Sequence, residues 1–311
     1  MSPRNSITRR ELVIATVALG TAAALRPLAS VLGDEQPDPL DISWADSFLT
    51  IRGRFAGNEI TILYLEAYCR PGSTDRDWGQ NVIPHRAEQL SVKTNDGSIH
   101  LQDTLADGVV VHHVITSTPD EVDFQVLAHN PTDKESQAHW AQPCIRVGRF
   151  TGAGNADARA LVPAYAKKCF LFVNDELTRL PTKPWADKAR YTPGQVYCPK
   201  QVDRNDVNPR PLSALVPSSS LCGCYSADEK TIMAVAWEPY QEVFQGVVAC
   251  IHCDFRLGGL RPGEKKQIRS KLYIVPADVP KLVARFKKDF PEQAKGLHSR
   301  SRPQSRCQSF A

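Results

Sequence analysis

The sequence predicts an all-β fold, an antiparallel sandwich with one amphipathic helix at its C-terminal end. Segments with apolar side chains at every second position, such as residues 122–126 and 268–274, recur between turn signals. This period of two is typical of β-strands with one buried face. Only one segment has a convincing helical period. Its apolar positions, which follow the predicted N-cap Asp278, are Val279, Leu282, Val283, Phe286 and Phe290.

Turn-forming residues divide the strands. An Asn-Asp-Gly motif at 95–97 separates two alternating segments, and Asn174-Asp175 separates two more, so each pair of segments is predicted to form a β-hairpin. The Pro-rich stretch 181–217 is predicted to be a long surface loop or lid.

The N-terminal residues predict export. Arg9 and Arg10 precede the uncharged run 12–25, which has fourteen residues and is too short to cross about 30 Å of hydrocarbon at about 1.5 Å per helical residue. Residues 8–13 resemble the bacterial twin-arginine export signal, whose substrates cross the membrane as folded proteins. We therefore expect a periplasmic or extracellular protein. A leader that stays uncut as a membrane anchor is the alternative.

The chain is accordingly divided into a signal peptide at 1–33, a single domain at 34–292 and a basic tail at 293–311 that is predicted to be disordered. A net charge of +4 and 42% apolar residues are typical of a soluble globular protein. Nothing in this composition predicts a nucleic-acid partner. Membrane contact is expected only through an uncleaved leader, and the oligomeric state stays open.

The nine cysteines are predicted to be buried thiols or to form one or two disulfides, and the odd count leaves at least one thiol unpaired. Together, Cys222, Cys224, Cys250 and Cys253 have the ligand type of a zinc site. On a strand, however, Cys250 and Cys253 point to opposite faces because their separation is odd. We therefore predict no metal and no cofactor, and keep a Cys/His metal-binding protein as a third class of function.

Two segments resemble the galactose-mutarotase-like family. The turn Asn130-Pro-Thr-Asp133 joins a strand to the segment 139–146, like the central hairpin of that family. The turn Gly259-Leu-Arg-Pro-Gly-Glu264, followed by the strand 267–275, is similar to the family's final turn and strand. The resemblance implies an antiparallel β-supersandwich that acts on carbohydrates.

The chain departs from that family at one important place. The family carries a catalytic Asn-His pair shortly after its Asn-Pro-Thr-Asp turn, where this chain has Gln142-Pro143. The resemblance therefore implies the fold and argues against sugar epimerisation by the family's own mechanism.

Three predicted strands, 60–69, 139–148 and 247–256, carry aromatic and ionisable side chains opposite an apolar face, because residues two apart share a face. The side chains assigned to this second face are Tyr64, Glu66, Tyr68, Trp140, Gln142, Cys144, Arg146, His252, Asp254 and Arg256. Sugars need such a mixture, since aromatic rings cover their carbon–hydrogen surface and polar groups bind their hydroxyls. Glu66 and His252 have the chemistry of an acid–base pair and are the candidate catalytic residues. A solvated sheet face without a ligand gives the same pattern.

Loops at strand ends often carry binding residues, and they extend the predicted sugar site. A salt-bridged surface loop is the alternative interpretation for residues 70–78. His112 and His113 are adjacent on a strand, so one of them must point into the binding surface. The further substrate-binding candidates are Arg70, Asp77, Trp78, His85 and His113.

The sequence contains no Gly-x-Ser-x-Gly, His-Glu-x-x-His, Walker or Gly-x-Gly-x-x-Gly motif that opens a helix, which argues against the common hydrolase, metalloprotease and nucleotide-binding classes. We therefore predict a carbohydrate-binding or carbohydrate-active protein whose partner is a sugar or glycan. Whether it catalyses a reaction, of epimerase, lyase or hydrolase type, stays open. A non-catalytic envelope or binding module is the alternative.

Overall fold

A computed structural model describes residues 37–72, 78–91, 97–154, 164–183, 195–207, 211–246 and 248–294. Its elements lie in one compact unit that begins at Asp38. The strands in chain order are β1 (Asp41–Ala45), β2 (Phe48–Arg52), β3 (Glu59–Cys69), β4 (Val82–Ile83), β5 (His85–Ser91), β6 (Ile99–Leu105), β7 (Val110–Ser117), β8 (Glu121–His129), β9 (Trp140–Arg146), β10 (Cys169–Val173), β11 (Glu176–Arg179), β12 (Pro217–Tyr225), β13 (Thr231–Glu238), β14 (Tyr240–Gly246), β15 (Cys250–Arg256) and β16 (Lys265–Pro276). The helices are α1 (Trp78–Asn81), α2 (Gly148–Thr151), α3 (Val279–Asp289) and a 3-10 turn at Ala166–Lys168.

The strands form two antiparallel sheets. Sheet 1 has the order β1-β2-β3-β9-β15-β14, with β4 beside β3, and sheet 2 has the order β11-β10-β12-β13-β16-β8-β7-β6-β5. Apolar side chains from both sheets, among them Ile145, Ile251, Phe124 and Trp237, pack together in one core. The predicted fold class, an all-β antiparallel sandwich with one C-terminal amphipathic helix, is confirmed.

The predicted C-terminal helix is present as α3. Its N-cap is Asp278, whose side chain accepts a 3.1 Å hydrogen bond from the backbone N–H of Lys281, which satisfies one of the free donors of the first turn. Leu282 and Phe286 are buried together with Phe170 and Tyr273 of sheet 2. The helix therefore covers the face of sheet 2 that points away from sheet 1.

Both predicted hairpins are present. Asn174 and Asp175 have positive φ angles of 50° and 65°, as a tight two-residue hairpin turn requires, and they connect the paired strands β10 and β11. Strands β5 and β6 also pair antiparallel. Of the Asn-Asp-Gly turn between them, only Gly97, with φ 76°, lies in the described part of the chain.

The resemblance to a central hairpin at 130–146 is corrected by the structure. Strand β8 lies in sheet 2 and β9 in sheet 1, so the chain crosses between the sheets after the turn. Buried Asn130 stabilises this crossing, because its side-chain amide donates to the carbonyls of Lys134 (2.7 Å) and Leu260 (2.8 Å). Its backbone N–H also donates to the carbonyl of Glu264 (3.0 Å). The two turns that resemble the family thus contact each other.

The Pro-rich stretch is not a surface loop over its whole length. In its described part, Val196, Tyr197, Val202 and Val207 are buried. Tyr197 forms backbone hydrogen bonds of 2.8 and 2.9 Å with Val243 on the edge strand β14. Residues 195–207, named the docked segment below, are therefore joined to this edge of sheet 1 by a single β-bridge at Tyr197.

The predicted signal peptide at 1–33 lies outside the described residues, as does the tail beyond residue 294. Within the described residues, no helix is both long and apolar enough to cross a membrane.

Candidate functional site

Polar side chains converge on the face of sheet 1 that points away from sheet 2, named the polar face below. It is formed by β3, β9, β15 and β14, which are neighbours in that order. Alternate residues of β9 and β15, including Ile145 and Ile251, pack in the core, so the residues between them face the other way. The polar face contains Glu66, Gln142, Cys144, Arg146, Glu242, Cys250, His252 and Asp254.

Strand register brings these side chains into contact. Strand β9 pairs Arg146 with Cys250 and Ile145 with Ile251, which carries Cys144 to the position opposite His252. On the other side of β15, Phe244 is opposite His252, and the two rings stack with centroids 4.3 Å apart and planes 2° from parallel.

His252 lies at the centre of the polar face. Its Nε2 is 3.2 Å from the sulfur of Cys250, and its Nδ1 is 3.7 Å from Oδ1 of Asp254. On the neighbouring strands, the amide of Gln142 donates a 3.0 Å hydrogen bond to Oε2 of Glu66. Glu66 is only half-buried, whereas Cys250, His252 and Asp254 are at most 3% exposed.

Several buried polar atoms of this face have no hydrogen-bond partner among the described residues. They are Oε1 of Gln142, Nε of Arg146, Nδ1 of His252 and both carboxylate oxygens of Asp254. An unpaired buried polar atom costs about 1–3 kcal/mol, and such atoms are rare in native proteins. Their concentration on one face indicates a site prepared for a ligand.

The local charges shift several pKa values. Burial of Asp254 raises its pKa to about 7, although the nearby charge of His252 opposes the rise. Burial alone would lower the pKa of His252, but the neighbouring Cys250 and Asp254 raise it well above its usual value. The pKa of Cys250 lies well below its usual value, because a hydrogen bond from Cys144 and the charge of His252 outweigh burial. Both directions favour opposite charges on the Cys250 sulfur and the His252 ring.

The structure corrects the assignment of Tyr64 and Tyr68 to this face. Both are buried in the core, where the hydroxyl of Tyr64 is 2.8 Å from Nδ1 of His113 and the hydroxyl of Tyr68 donates a 2.6 Å hydrogen bond to Asp103. The pairing of β3 with β9 is irregular between Leu63 and Ala67. Tyr64 and Tyr68 continue the core face of Ile60 and Ile62. The irregularity turns Glu66, which alternation would also put in the core, to the polar face.

His113 and His85 also lie away from the polar face. His113 is buried in the core, with Nε2 3.2 Å from Oδ2 of Asp103. The ring of His85 meets the ring of Tyr68 edge to face, with centroids 5.0 Å apart. Burial lowers the pKa of His85. Both histidines belong to a polar cluster between the sheets rather than to the predicted sugar site.

Trp140 and Trp78 flank the polar face at the β3 end. Fully buried Trp140 packs with Ala67 and Cys69, and partly buried Trp78 packs against this group. Arg70 is engaged nearby with the backbone carbonyls of Gln80 and Val82. Asp77 lies outside the described residues.

Arg256, at the far end of β15, holds the docked segment. Its guanidinium donates to Oδ2 of Asp206 (3.0 Å) and to Oε1 of Gln241 (2.5 Å). Asp206 also accepts from Nδ1 of His139 (2.9 Å). Arg256 is therefore occupied by contacts within the protein.

Sequence reasoning did not select Cys144, Glu242, Phe244 or Gly246 as site residues. For Cys144 the signal was available, since the alternation of β9 put it on the polar side. The residues of β14 were missed because this strand was not considered. Its pairing with β15 is local, since the two strands are consecutive and antiparallel.

No protein-family model matches the chain, and no curated protein matches it. Solved structures do match. A galactose mutarotase-like protein from Lactobacillus casei has 10% identity and a TM-score of 0.38, with 76% of this chain and 99% of that chain covered. The galactose 1-epimerase from Lactobacillus acidophilus has 8% identity and a TM-score of 0.36, with coverage of 78% and 99%.

A third match is the alpha-N-acetylgalactosaminidase NagBb from Bifidobacterium bifidum, with 10% identity, a TM-score of 0.42, and coverage of 81% of this chain and 37% of that chain. These TM-scores are low, and the fold of this chain is defined by its own two sheets.

Proposed function

We propose that the polar face binds a carbohydrate and catalyses proton transfer on it. The observation that carries this proposal is the group of buried donors and acceptors without partners on Gln142, Arg146, His252 and Asp254. A sugar presents several hydroxyl groups that both donate and accept hydrogen bonds, and it therefore matches a set of mixed polarity. A purely apolar ligand would leave these atoms unpaired.

Two groups of this face have the chemistry of proton transfer. Glu66 is half-buried and accepts a hydrogen bond from Gln142, which orients its carboxylate. The pKa of Asp254, raised to about 7 by burial, matches the range in which a general acid or base works best at neutral pH. Glu66 is the proposed proton carrier that meets substrate.

A panel of neutral sugars, sugar acids and oligosaccharides tests the proposal on the full-length chain. We expect turnover of at least one member, and the variant Glu66→Gln should reduce it by about 100-fold or more. The matched control is Glu59→Gln on the same strand, since Glu59 pairs with Arg52 and Arg149 away from the polar face. The control should retain wild-type turnover.

Binding without turnover would support the non-catalytic alternative. In that case Arg146→Ala, which removes a partly exposed guanidinium of the polar face, should weaken retention on an immobilised glycan, while Glu66→Gln should bind as wild type does. If no member of the panel binds or reacts, the carbohydrate proposal fails.

We also propose that the protein is exported. The support is the pair Arg9-Arg10 before the uncharged run 12–25. Cell fractionation tests this proposal, since replacement of both arginines by lysine should retain the protein in the cytoplasm. Equal periplasmic amounts of wild type and variant would contradict twin-arginine export.

A further inference from the structure

We propose that Cys144, Cys250 and His252 bind one divalent transition-metal ion of the zinc class. This inference rests on the geometry of three side chains and goes beyond the proposed carbohydrate chemistry. It holds whether or not a sugar binds above the site.

The three ligand atoms already lie at the separations that a metal site needs. The two sulfurs and one ring nitrogen are all within 4.8 Å of one another, and Sγ of Cys250 is 3.2 Å from Nε2 of His252. With bonds of about 2.3 Å to sulfur and about 2.1 Å to nitrogen, ligands of one tetrahedral ion are separated by distances of this order. Little movement is therefore required for all three to meet one ion.

Regular strand geometry produces this arrangement. Cys250 and His252 are two residues apart on β15, so their side chains share a face. The register that pairs Arg146 with Cys250 places Cys144 on the adjacent strand beside both of them. All three are buried, which protects thiol ligands from solvent.

A glycine leaves space beside the ligands. Gly246 is opposite Cys250 on β14. A Cβ atom at this position would overlap the sulfur of Cys250 and come within 3.2 Å of Nε2 of His252. Any residue other than glycine at this position would therefore fill the space that the proposed ion needs beside the sulfur and the ring nitrogen.

A carboxylate lies beside the second ring nitrogen of His252, as it does beside many histidine ligands of metal ions. Its Nε2 faces the two cysteines, and its Nδ1 faces Oδ1 of Asp254 at 3.7 Å. A carboxylate behind a histidine ligand fixes the ring and its tautomer. Phe244 stacks on the same ring and restricts its rotation further.

The chemistry of the donors selects the metal. Two thiolates and one imidazole suit zinc, cobalt and related ions and disfavour magnesium and calcium, which take oxygen ligands. Three protein ligands leave the fourth tetrahedral position for water or substrate, as in catalytic zinc sites. Glu66 lies on the same face of the sheet, where it accepts a hydrogen bond from Gln142.

The site differs from the zinc alternative drawn from the sequence. Of Cys222, Cys224, Cys250 and Cys253, only Cys250 belongs to it. The other three are in the core between the sheets, and Cys253 donates to the carbonyl of Ser220 at 3.4 Å. As the odd spacing predicted, Cys250 and Cys253 face opposite ways.

Metal analysis of the full-length chain, purified under reducing conditions without chelator, tests the inference. We expect about one zinc per chain. After metal removal, added Co²⁺ should give the near-ultraviolet thiolate band and the strong visible bands of a tetrahedral site. Cys250→Ala should lower bound metal by about tenfold or more.

The matched control is Cys253→Ala, which removes an equally buried thiol of the same strand on its opposite face and should keep the metal. Gly246→Ala retains all three ligand side chains but would displace the sulfur of Cys250, and it should therefore weaken Co²⁺ binding. Far-ultraviolet circular dichroism checks that each variant is folded.

Absence of zinc from the purified chain, together with no cobalt–thiolate band on titration, would overturn the inference. Equal loss of metal in Cys253→Ala and Cys250→Ala would also overturn it, since the loss would then reflect the fold. Because metal content is measured without any sugar, this outcome is independent of the carbohydrate test.

Discussion

Tyr68 donates a 2.6 Å hydrogen bond to Asp103 across the core, from sheet 1 to sheet 2. His113 lies beside both groups, with Nε2 3.2 Å from the carboxylate and from the tyrosine hydroxyl. A buried carboxylate is costly unless it is paired and hydrogen-bonded. This cluster therefore fixes how the two sheets sit on each other, and it explains why aromatic residues predicted for a sugar site are found in the core.

Removal of the tyrosine hydroxyl should destabilise the protein. In Tyr68→Phe the ring still fills its site, but Asp103 loses one of its two hydrogen-bond donors. We expect the free energy of unfolding to fall by about 1–3 kcal/mol, measured by urea denaturation. Tyr225→Phe, at a partly exposed ring that stacks under Arg179, is the control and should change stability by less than about 0.5 kcal/mol. Equal effects would show that Asp103 gains little from this bond.

Acid should destabilise the protein through the same carboxylate. Burial would raise the pKa of Asp103, but hydrogen bonds from His113 and Tyr68 and the charge of His113 lower it below the ordinary 3.8. A pKa that is lower in the folded state gives stability that is present above about pH 4 and is lost as the pH falls through the folded value.

Unfolding free energies between about pH 5 and pH 2 check this prediction. Asp103→Asn should reduce the slope in this range, whereas Asp133→Asn, at an exposed turn position, should retain it. The slope should not vanish, because Asp120 and Asp206 also have lowered pKa values, the first through Arg285 and the second through His139 and Arg256. An unchanged slope in Asp103→Asn would contradict the assignment.

Loss of the Asp206 carboxylate should release the docked segment. Asp206→Asn weakens its ion pairs with Arg256 and His139, and we expect a loss of about 1.5–3 kcal/mol. Hydrogen exchange followed by mass spectrometry should show faster exchange in residues 195–207, including the amide of Tyr197. Asp203→Asn, an exposed position of the same segment, is the control. Faster exchange in both variants would argue against a specific anchor.

Asn130 should be essential to the crossing between the sheets. Asn130→Ala leaves the carbonyls of Lys134 and Leu260 without their side-chain donor and should cost about 2–3 kcal/mol. Asp133→Ala, an exposed change in the same turn, should cost less than about 0.5 kcal/mol. Thermal unfolding of both variants measures the difference. Similar midpoints would contradict the role of Asn130 in the crossing.

Local patterns in the sequence determined a large part of the fold. The alternation of β9 and β15 identified which side chains face the core and which face away, because side-chain direction in a regular strand depends only on position. Asp278 and the spacing of Leu282 and Phe286 determined the helix α3 and its buried face. The turn residues at 174–175 determined a hairpin, since few residues adopt positive φ.

Tertiary structure decided what the sequence pattern left open. Tyr64 and Tyr68 lie on the core face with Ile62. The irregular pairing within β3 turned Glu66 to the polar face instead, and a local period cannot reveal such an irregularity because it arises against the partner strand. A local pattern cannot reveal the crossing between the sheets at Asn130 either. Above all, Cys144 and the pair Cys250–His252 are separated by about a hundred residues in sequence and meet only because β9 and β15 are neighbours. Strand pairing at such a distance depends on the packing of the whole core, and this is why the sequence supplied the residue types of the polar face while the folded sheet determined their arrangement.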